Sequence, residues 1–558
     1  MSGFTKQKQQ LAEIIESALQ VLIDQKQLEL DSMPEINLEV PREKAHGDFA
    51  SNVALVLAKP AKKNPRQLAE LIVASLPEHP VIDKVEIAGP GFINFYLTNQ
   101  WLYDVLLTIE QEQLAYGANS FGNGERVLLE FVSANPVGPM NVVNARAAAI
   151  GDTLAKLLAA AGYSVATEYY VNDAGVQTEV FGRSLEARLQ QLANPDYPFP
   201  EDGYPGAYVS ELAERLKAEK PELLNQDYAE RVEFCRIWGI DQMVEWQKQD
   251  LADFGVTFDR WFRERDLHEA GALEDIIERL TERGYMYEKD GAFWFRSTVF
   301  GDDKDRVIIK QDGTYTYVTA DIAYHYDKLK RGFTKLIDLF GPDHHGYIAR
   351  MKAAVQALGY PEDALEIMIL QYVALLRDGE QVKMSKRAGE FITLQDLMEE
   401  VGRDAARYFF LMRSPDSHLD FDLTLAAEQS NENPVYYIQY AHARICSILQ
   451  QAKEQGVTLK QAKEVSLDLL VQEQELDLIK KMAELPEELL MAATQREPHR
   501  MARYALDLAS QFHSFYTHCH VLSEADELRD ARLVLTNCVK IVLQRTLGLL
   551  GISAPERM

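Results

Sequence analysis

The pattern of apolar and polar positions over the first 115 residues predicts a small α+β domain. It indicates helices over Lys8–Ile23 and Ala50–Leu57, the second following the turn-rich stretch 46–48. Two short strand patterns, Val85–Ile87 and Phe92–Leu97, lie on either side of the turn 88–91. We therefore expect a first domain over residues 1–115.

From Arg126 the pattern becomes that of a nucleotide-binding sheet. The apolar run Val127–Val132 is typical of a strand buried on both faces, and a loop, a long helix (Asn144–Ala161) and a second strand (Ser164–Tyr170) follow it. This β–loop–α–β order predicts a doubly wound, Rossmann-type parallel sheet.

The remainder of the chain divides into three stretches. Residues 184–290 are largely helical in pattern, and we interpret them as an insertion within the sheet. The α/β pattern is then expected to resume with strands at 316–319, 335–339 and 367–373. Beyond about residue 430 one helix pattern follows another. The sequence thus predicts an α/β domain over 116–425 and an all-α domain over 426–558.

Composition narrows the class of protein. The 558 residues are 47% hydrophobic, which is ample for several cores and excludes a disordered acidic chain. No apolar run approaches the roughly 20 residues of a membrane span, and the polar start lacks the features of a signal peptide. Four cysteines (Cys235, Cys446, Cys519 and Cys538) are scattered without C-x-x-C spacing. We expect a cytoplasmic protein with neither disulfides nor a cysteine zinc site.

The charge of the chain is informative mainly through its distribution. Taken alone, 58 basic against 86 acidic residues, a net charge of −28, argues against a nucleic-acid partner. However, residues 196–290 hold 24 acidic and 12 basic residues, whereas 42–66 holds six basic and two acidic, and 529–558 five basic and two acidic. Because screening confines exposed charges to a range of roughly 8 Å, an acidic insertion does not oppose phosphate contacts elsewhere.

A short lysine motif is the strongest local signal for chemistry. Lys383, Met384, Ser385 and Lys386 follow an apolar strand pattern and the turn 377–380. Two lysines in such a loop suit the charge of phosphate groups, and ligands of α/β domains bind at the carboxyl ends of strands. By itself the motif is also compatible with a solvated basic turn.

In context the motif identifies a resemblance to the bacterial-type arginyl-tRNA synthetases, which are class I aminoacyl-tRNA synthetases. The resemblance runs nearly end to end, in the order of the family. It is carried by the lysine motif and by the stretches 130–136 (EFVSANP), 168–175 (EYYVNDAG), 317–325 (YVTADIAYH), 341–346 (GPDHHG), 404–410 (DAARYFF), 433–444 (NPVYYIQYAHAR) and 553–558 (SAPERM).

The resemblance implies that the chain activates L-arginine with ATP to arginyl-adenylate and transfers the arginyl group to the 3′ end of tRNA(Arg). Mg²⁺ would be bound through the ATP phosphates, with no protein metal site. Lys383 and Lys386 would act on the leaving pyrophosphate, together with Asn141 and Asn144. The implied ATP site comprises Pro136, Gly138, Asn141, Val143, Asn144, Lys383, Met384, Ser385 and Lys386.

The implied arginine site comprises Ser133, Asn135, Tyr317 and Asp321. A guanidinium requires a carboxylate and a planar neighbour, and Tyr317 and Asp321 lie four residues apart on one side of a helix that begins there. Ser133 and Asn135 would hold the backbone end of the amino acid. Without the resemblance, Tyr317 is equally compatible with a core position and Asp321 with a helix cap.

One signature departs from the family pattern. Class I synthetases carry His-x-Gly-His at the start of the first helix, where this chain has Asn141-Val142-Val143-Asn144. An asparagine amide still donates hydrogen bonds to phosphate, and the helix N-terminus contributes regardless, so we expect an active enzyme. The alternative is a catalytically impaired paralogue, in which Val143 crowds the adenine, that serves as a tRNA-binding or arginine-sensing protein.

The expected macromolecular partner is tRNA(Arg). The first domain, residues 1–115, whose segment 42–66 is basic, would meet the elbow of the tRNA, and the all-α domain would bind the anticodon through Tyr437, Tyr440, Arg444 and Met558. Because adjacent Tyr436 and Tyr437 cannot both face one side of a helix, at least one is expected in the core. His513, His518 and His520 are interpreted as packed or tRNA-facing residues rather than metal ligands.

Without a long heptad seam, we expect a monomer. The cysteine-specific synthetase is disfavoured, because its Cys/His zinc ligands are absent.

Overall fold

A computed structural model describes residues 3–382 and 392–558. The first domain packs helices against an antiparallel sheet of order β1-β2-β4-β3. The predicted strands are confirmed, but the helix expected from Ala50 begins at Val53, because Phe49–Ser51 pairs with 93–95 as a strand. The elements are α1 (Gly3–Asp24), β1 (Leu38–Glu39), β2 (Phe49–Ser51), α2 (Val53–Ala58), α3 (Pro65–Ala74), β3 (Ile82–Ala88), β4 (Phe92–Leu97) and α4 (Gln100–Glu112).

The second domain is built on the predicted parallel sheet. Five strands pair in the order β12-β11-β5-β6-β7, all in parallel, with helices on both faces. The elements of its first half are β5 (Arg126–Glu130), α5 (Val142–Ala160), β6 (Ser164–Val171), α6 (Val176–Gln191), α7 (Ala207–Glu219), α8 (Tyr228–Asp253), β7 (Arg260–Arg263), α9 (Glu264–Glu269) and α10 (Ala272–Glu282). The doubly wound class I architecture is therefore confirmed.

The remaining elements of this domain are β8 (Met286–Lys289), β9 (Ala292–Phe295), β10 (Arg306–Ile309), α11 (Tyr317–Lys330), β11 (Lys335–Phe340), α12 (Ile348–Ala357), β12 (Leu365–Ile369), β13 (Val373–Arg377), β14 (Glu380–Gln381), α13 (Leu394–Val401), α14 (Arg403–Leu411), β15 (Leu419–Asp422) and α15 (Leu423–Ala427). Strands β8–β10 form a separate antiparallel sheet, and β13 pairs with β14 and β15.

Three features of this domain differ from the sequence prediction. Residues 316–319 are not a strand, since Thr316 is the N-cap of α11 and the helix begins at Tyr317. The predicted strand 367–373 is two strands, because the chain leaves the main sheet after β12. Within the range interpreted as an insertion, β7 pairs with β6 as the edge of the main sheet. The stretch that leaves the sheet is therefore the helical segment α6–α8, in which α6 packs on α7 and α8.

The third domain is the predicted helical bundle. It consists of α16 (Pro434–Glu454), α17 (Glu473–Ala483), α18 (Leu485–Thr494), α19 (His499–His518) and α20 (Asp526–Leu550). Among the described residues α20 alone has the length and apolarity of a membrane span, and 72% of its most apolar stretch is buried inside the protein. Packing at the centre of the bundle accounts for that composition.

The first domain packs on the third domain, although the two lie at opposite ends of the sequence. Helix α4 contacts α17 and α20, and two buried tyrosines cross the boundary, Tyr103 Oη donating to the Leu470 carbonyl and Tyr116 Oη to that of Met482, both at 3.2 Å. Ion pairs also join the two domains, among them Lys44 with Asp477 (2.5 Å) and Lys480 with Asp48 (2.6 Å).

One buried arginine joins the catalytic domain to the bundle. The fully buried guanidinium of Arg407 donates to Asp152 Oδ2 on α5 at 2.5 Å, to the Leu550 carbonyl at the end of α20 at 2.9 Å, and to the Phe254 carbonyl at 3.2 Å. Helix α5 is thereby fixed to the third domain.

Candidate active site

A cavity of about 700 Å³ opens at the carboxyl ends of β5, β6 and β11. Of the residues predicted from the sequence, the structure brings Ser133, Asn135, Gly138, Asn141, Asn144, Tyr317 and Asp321 to its wall. Pro136 and Val143 do not line it. Lys383, Met384, Ser385 and Lys386 lie outside the described residues. The predicted arginine residues and part of the predicted ATP residues thus share one cavity.

The loop after β5 follows an unusual backbone path at one end of this cavity. Val132 and Ser133 both adopt positive φ, at 69° and 40°, although neither is glycine. For a β-branched residue this conformation costs of order 1–3 kcal/mol, and such strain concentrates at ligand sites. The turn places Ser133 Oγ 2.8 Å from Glu130 Oε1, where it donates to the carboxylate, and the same oxygen accepts from the Tyr170 N–H at 3.1 Å.

Two carboxylates face the cavity, Asp321 from α11 and Glu130 from the end of β5. Burial raises the pKa of Asp321 to about 6; the nearby Glu264 and Glu130 also raise it, whereas His325 and a hydrogen bond from Tyr347 lower it. Above that pH the carboxylate is ionised and can pair with a cation. This part of the cavity therefore suits a positively charged ligand.

Tyr317 and Asp321 occupy the positions expected of ligand-binding residues. Tyr317 is 78% exposed at the first position of α11, so it is not a core residue. Asp321 lies one turn further into the helix, whereas the N-cap is Thr316, so Asp321 is not a cap. The two alternative interpretations, a core position for Tyr317 and a helix cap for Asp321, are therefore wrong.

The other end of the cavity is the N-terminus of α5, where the two asparagines cap the helix reciprocally. Asn141 Oδ1 accepts from the backbone N–H groups of Val143 (2.9 Å) and Asn144 (3.2 Å), and Asn144 Oδ1 accepts from the Asn141 N–H at 3.2 Å. The side-chain oxygens are thus committed to the backbone. Among the described residues, no hydrogen bond uses the amide N–H₂ group of either side chain.

The helix N-terminus and these amide groups together suit a negatively charged ligand. The positive end of the helix dipole stabilises anions, and each free amide can donate two hydrogen bonds to phosphate oxygens. Val143 is 45% exposed, and its side chain does not line the cavity.

Described residues on either side of the lysine motif contact β13 and the N-terminus of α5. Before the motif, the Val382 N–H donates to the Leu375 carbonyl on β13 at 2.9 Å. After it, Thr393 forms a bridge with Asn141, and the Leu394 N–H donates to the Met140 carbonyl at 2.9 Å. Thr393 and Leu394 are therefore held at the N-terminus of α5.

Sequence reasoning missed several residues of the cavity wall: Glu130, Tyr170, Gln177, Tyr324, His325, His344 and Tyr347. It also missed Lys328, which lies beneath the wall. Asp321, His325 and Lys328 are spaced i, i+4 and i+7 on a helix whose other inward positions are apolar, so a polar stripe on a buried face was the available signal. For Glu130 the sequence signal was weaker, because a single acidic residue at the end of an apolar run is also typical of a strand terminus.

On the third domain, the predicted tRNA residues form an aromatic cluster along α16. Tyr440 stacks on Tyr436 with ring centroids 6.4 Å apart, the Arg444 guanidinium lies 4.6 Å from the Tyr440 ring, and His513 packs 4.5 Å from Tyr437. Tyr436 and Tyr437 are both half-buried, and Tyr437 packs against the hydrophobic core, as was expected of at least one of the pair. The cluster also includes Tyr516, which sequence reasoning missed, 4.7 Å from Arg444. Met558 is 53% exposed and borders the same helix beside Tyr436 and Gln439.

The basic segment of the first domain is exposed in part. Lys44 is committed to Glu473 and Asp477 of the third domain, at 2.8 and 2.5 Å. The lysines at 59, 62 and 63 are exposed around the turn between α2 and α3, and none pairs with an acidic residue among those described. The solvent-exposed, unpaired positive charge therefore covers only part of the segment 42–66.

Comparison with known proteins assigns three consecutive stretches of the chain to family models and finds similar proteins over its whole length. Three family models match consecutive stretches, described as the arginyl tRNA synthetase N terminal domain (residues 9–97), the class I (R) tRNA synthetase catalytic domain (107–411) and the DALR anticodon binding domain (438–558). The arginine–tRNA ligase of Desulforamulus reducens is 49% identical over 553 residues, 99% of both chains, and that of Geobacillus kaustophilus is 53% identical over 532 residues, 95% of both. The solved arginyl-tRNA synthetase of Thermus thermophilus shares the fold, with a TM-score of 0.75 and 21% identity over 99% of this chain and 100% of that one.

Proposed function

Because the chain belongs to the arginine–tRNA ligases, a family of class I aminoacyl-tRNA synthetases, we propose that the cavity between α5 and α11 activates arginine with ATP. The arginine carboxylate attacks the α-phosphate of ATP, arginyl-adenylate forms, and pyrophosphate leaves. A ribose hydroxyl at the 3′ end of tRNA(Arg) then attacks the arginyl carbonyl and releases AMP. Holding the reactants together and stabilising phosphate charge account for the rate.

One observation carries this assignment: a single cavity presents carboxylates at one end and a helix N-terminus at the other. Asp321 and Glu130, whose carboxylates lie close enough to interact, both bind the guanidinium, with the Tyr317 ring against its face. Ser133 orients Glu130, and Asn135 contacts the backbone end of arginine.

The ATP phosphates lie at the N-terminus of α5. Asn141 and Asn144 each keep the side-chain oxygen on the helix and donate to phosphate with the amide N–H₂ group. They are thus proposed to replace the family's histidines as neutral donors. Gly138 lines the same end of the cavity. Lys383 and Lys386 are assigned to the leaving pyrophosphate from the family motif and from the attachment of the flanking residues to α5.

The residues present fit a magnesium ion that arrives on ATP. In the ranges 3–382 and 392–558, no three His, Cys, Asp or Glu side chains are grouped so as to hold a metal ion. Mg²⁺ bound to the phosphates would neutralise their charge during transfer.

For tRNA, we assign anticodon contacts to the cluster around Tyr437, Tyr440 and Arg444 with Met558, and elbow contacts to the exposed lysines of the first domain. Unpaired bases stack on such aromatic rings, and arginine adds a cation–π contribution. A monomeric state and a cytoplasmic location stay predictions from the sequence.

The decisive experiment is aminoacylation of tRNA(Arg) with radiolabelled arginine, run beside arginine-dependent exchange of pyrophosphate into ATP with tRNA present. We expect both activities, and loss of both in Asp321→Asn. The matched control is Asp312→Asn, the same change at an exposed turn before α11, which should retain both. An inactive wild-type protein that still binds tRNA would instead support the non-catalytic paralogue, which no observation of the structure favours.

A further inference from the structure

Beneath the two carboxylates of the cavity lies a buried ionic cluster that the proposed reaction does not use. The Lys328 ammonium is fully buried, with Nζ 2.5 Å from Glu130 Oε2 and 2.9 Å from Asp338 Oδ1. His325, which lines the cavity, has Nε2 2.7 Å from Asp338 Oδ2 and Nδ1 2.7 Å from the backbone carbonyl of Asp321. The cluster therefore joins α11, β5 and β11 at the cavity wall.

The geometry defines the charge of this cluster. Each ring nitrogen of His325 lies 2.7 Å from an oxygen atom, one on the Asp338 carboxylate and one on the Asp321 backbone. The Lys328 ammonium stands against three carboxylates, Glu130, Asp321 and Asp338. The cavity wall keeps an excess of negative charge, which a guanidinium cancels and a neutral side chain does not.

We propose that Lys328 and His325 are positioning residues for arginine: they hold Glu130 ionised and aimed into the cavity, so that the site selects a cationic amino acid. Neither reaches the ligand through its charged group, since Lys328 Nζ is sealed behind Glu130 and both His325 nitrogens are occupied. This inference rests on the proposed function, because it takes arginine as the substrate.

The cation beneath Glu130 is needed because burial disfavours the charged form of a carboxyl group. The pKa of Glu130 lies above its ordinary value because burial raises it, while Lys328 opposes that rise and the nearby Asp338 adds to it. Removing the ammonium group should raise the pKa of Glu130 further, so that the carboxyl group is protonated over more of the pH range and pairs less well with a cation. Arginine binding should then return as the pH rises and the proton is lost.

Other ionisable groups surround the cluster without replacing Lys328. Glu168 on β6 is neutralised by Arg331 at 2.7 Å and accepts from Tyr324 Oη at 2.9 Å. The Tyr324 ring lies 4.2 Å from Lys328 Nζ. The further titratable groups that face this region are Tyr170 on β6, Glu264 on α9 with His268 at 3.8 Å, and Tyr347 before α12.

The test is Lys328→Met, with the KM for arginine and for ATP measured by pyrophosphate exchange from about pH 6.5 to about pH 9. Near pH 7 we expect an arginine KM raised about tenfold or more, falling toward the wild-type value with rising pH, and an ATP KM within about twofold of wild type. The matched control is Lys330→Met, the same change at an exposed position of the same helix, which should behave as wild type.

A purely structural role for Lys328 makes a different prediction. An arginine KM that is raised equally at every pH, raised together with the ATP KM, or not raised at all would overturn the proposal. Wild-type protein that forms no arginyl-tRNA in the same assay would reject the proposed function instead.

A second variant tests the same proposal if Lys328→Met does not fold. Glu130→Gln/Lys328→Met removes one negative and one positive charge together, so no buried charge loses its only partner. Its arginine KM should be high and should not fall between about pH 7 and pH 9, and the preference for arginine over citrulline, a neutral isostere, should drop about tenfold, because Asp321 alone still pairs with the guanidinium. An undiminished preference for arginine over citrulline in this variant would overturn the assignment.

Discussion

Asn141 combines two roles that one substitution can separate: its oxygen caps α5 and its amide faces the cavity. In Asn141→Asp an oxygen remains to accept from the Val143 and Asn144 N–H groups, but the donor is lost and a negative charge stands at the phosphate site. Aspartate is as good an N-cap as asparagine, and its charge interacts favourably with the helix dipole by about 0.3–1 kcal/mol. We therefore expect the thermal unfolding temperature to stay the same or rise.

The effect of the same substitution on kcat/KM for ATP should be large and unfavourable, in contrast to its effect on stability. A unit charge about 5 Å from a phosphate oxygen, at an effective dielectric constant of about 20, costs about 3 kcal/mol. That corresponds to roughly 150-fold in kcat/KM for ATP, before the lost hydrogen bond is counted. The cost should appear in pyrophosphate exchange at limiting ATP, while the KM for arginine changes little.

The matched control is Asn64→Asp, since Asn64 caps α3 with the same geometry, accepting from the Arg66 N–H at 2.9 Å, and lies on the exposed surface of the first domain. It should leave both stability and ATP kinetics unchanged. Asn141→Asp with kcat/KM for ATP within about threefold of wild type would refute a phosphate at this helix end. A marked loss of stability would refute the capping argument.

Three further predictions concern the arginine site, the anticodon cluster and the domain junction. Protonation of Asp321, with a pKa of about 6, should raise the KM for arginine about tenfold between about pH 7 and pH 5, and a flat profile would contradict the assignment. Tyr440→Ala should cost about 1–3 kcal/mol of tRNA affinity, seen as a higher KM for tRNA(Arg) in aminoacylation with the arginine KM unchanged; an unaltered tRNA KM would exclude the ring from the interface. Arg407→Met should destabilise the fold by about 3 kcal/mol, seen as a lower thermal unfolding temperature, and an unchanged temperature would show that its buried contacts contribute nothing.

The sequence predicted the parallel sheet well, because buried strands such as Arg126–Glu130 are short apolar runs separated by helical periodicity. It failed at 316–319, where threonine and valine suggested a strand. There the capping position of Thr316 and the packing of α11 override local propensity. The difference between a strand start and a helix start is set by tertiary contacts that no local window contains.

For the site, sequence patterns identified the residues that touch the cavity better than those that support it. Tyr317 and Asp321 were identified through the family resemblance, since their spacing on one helix face is also compatible with a core position and a helix cap. Lys328 was not, because a lysine near a helix end ordinarily lies in solvent, and its burial depends on Glu130 and Asp338, which are 198 and 10 positions away. The capping role of Asn141 and Asn144 likewise required coordinates, since it depends on where α5 begins.

The packing of the first domain on the last has a consequence for synthesis on the ribosome. Tyr116 finds its acceptor, the Met482 carbonyl, 366 residues later in the chain. At roughly 5–20 residues per second, the apolar face of α4 therefore waits about 20–70 s for the helices that cover it. During that interval Tyr103 and Leu106, both buried in the finished protein, lack their hydrogen-bond partners in the third domain, Leu470 and Cys538. Newly made chains should thus depend on chaperones more than their final structure suggests, and truncation before α17 should yield an aggregating fragment rather than a free first domain.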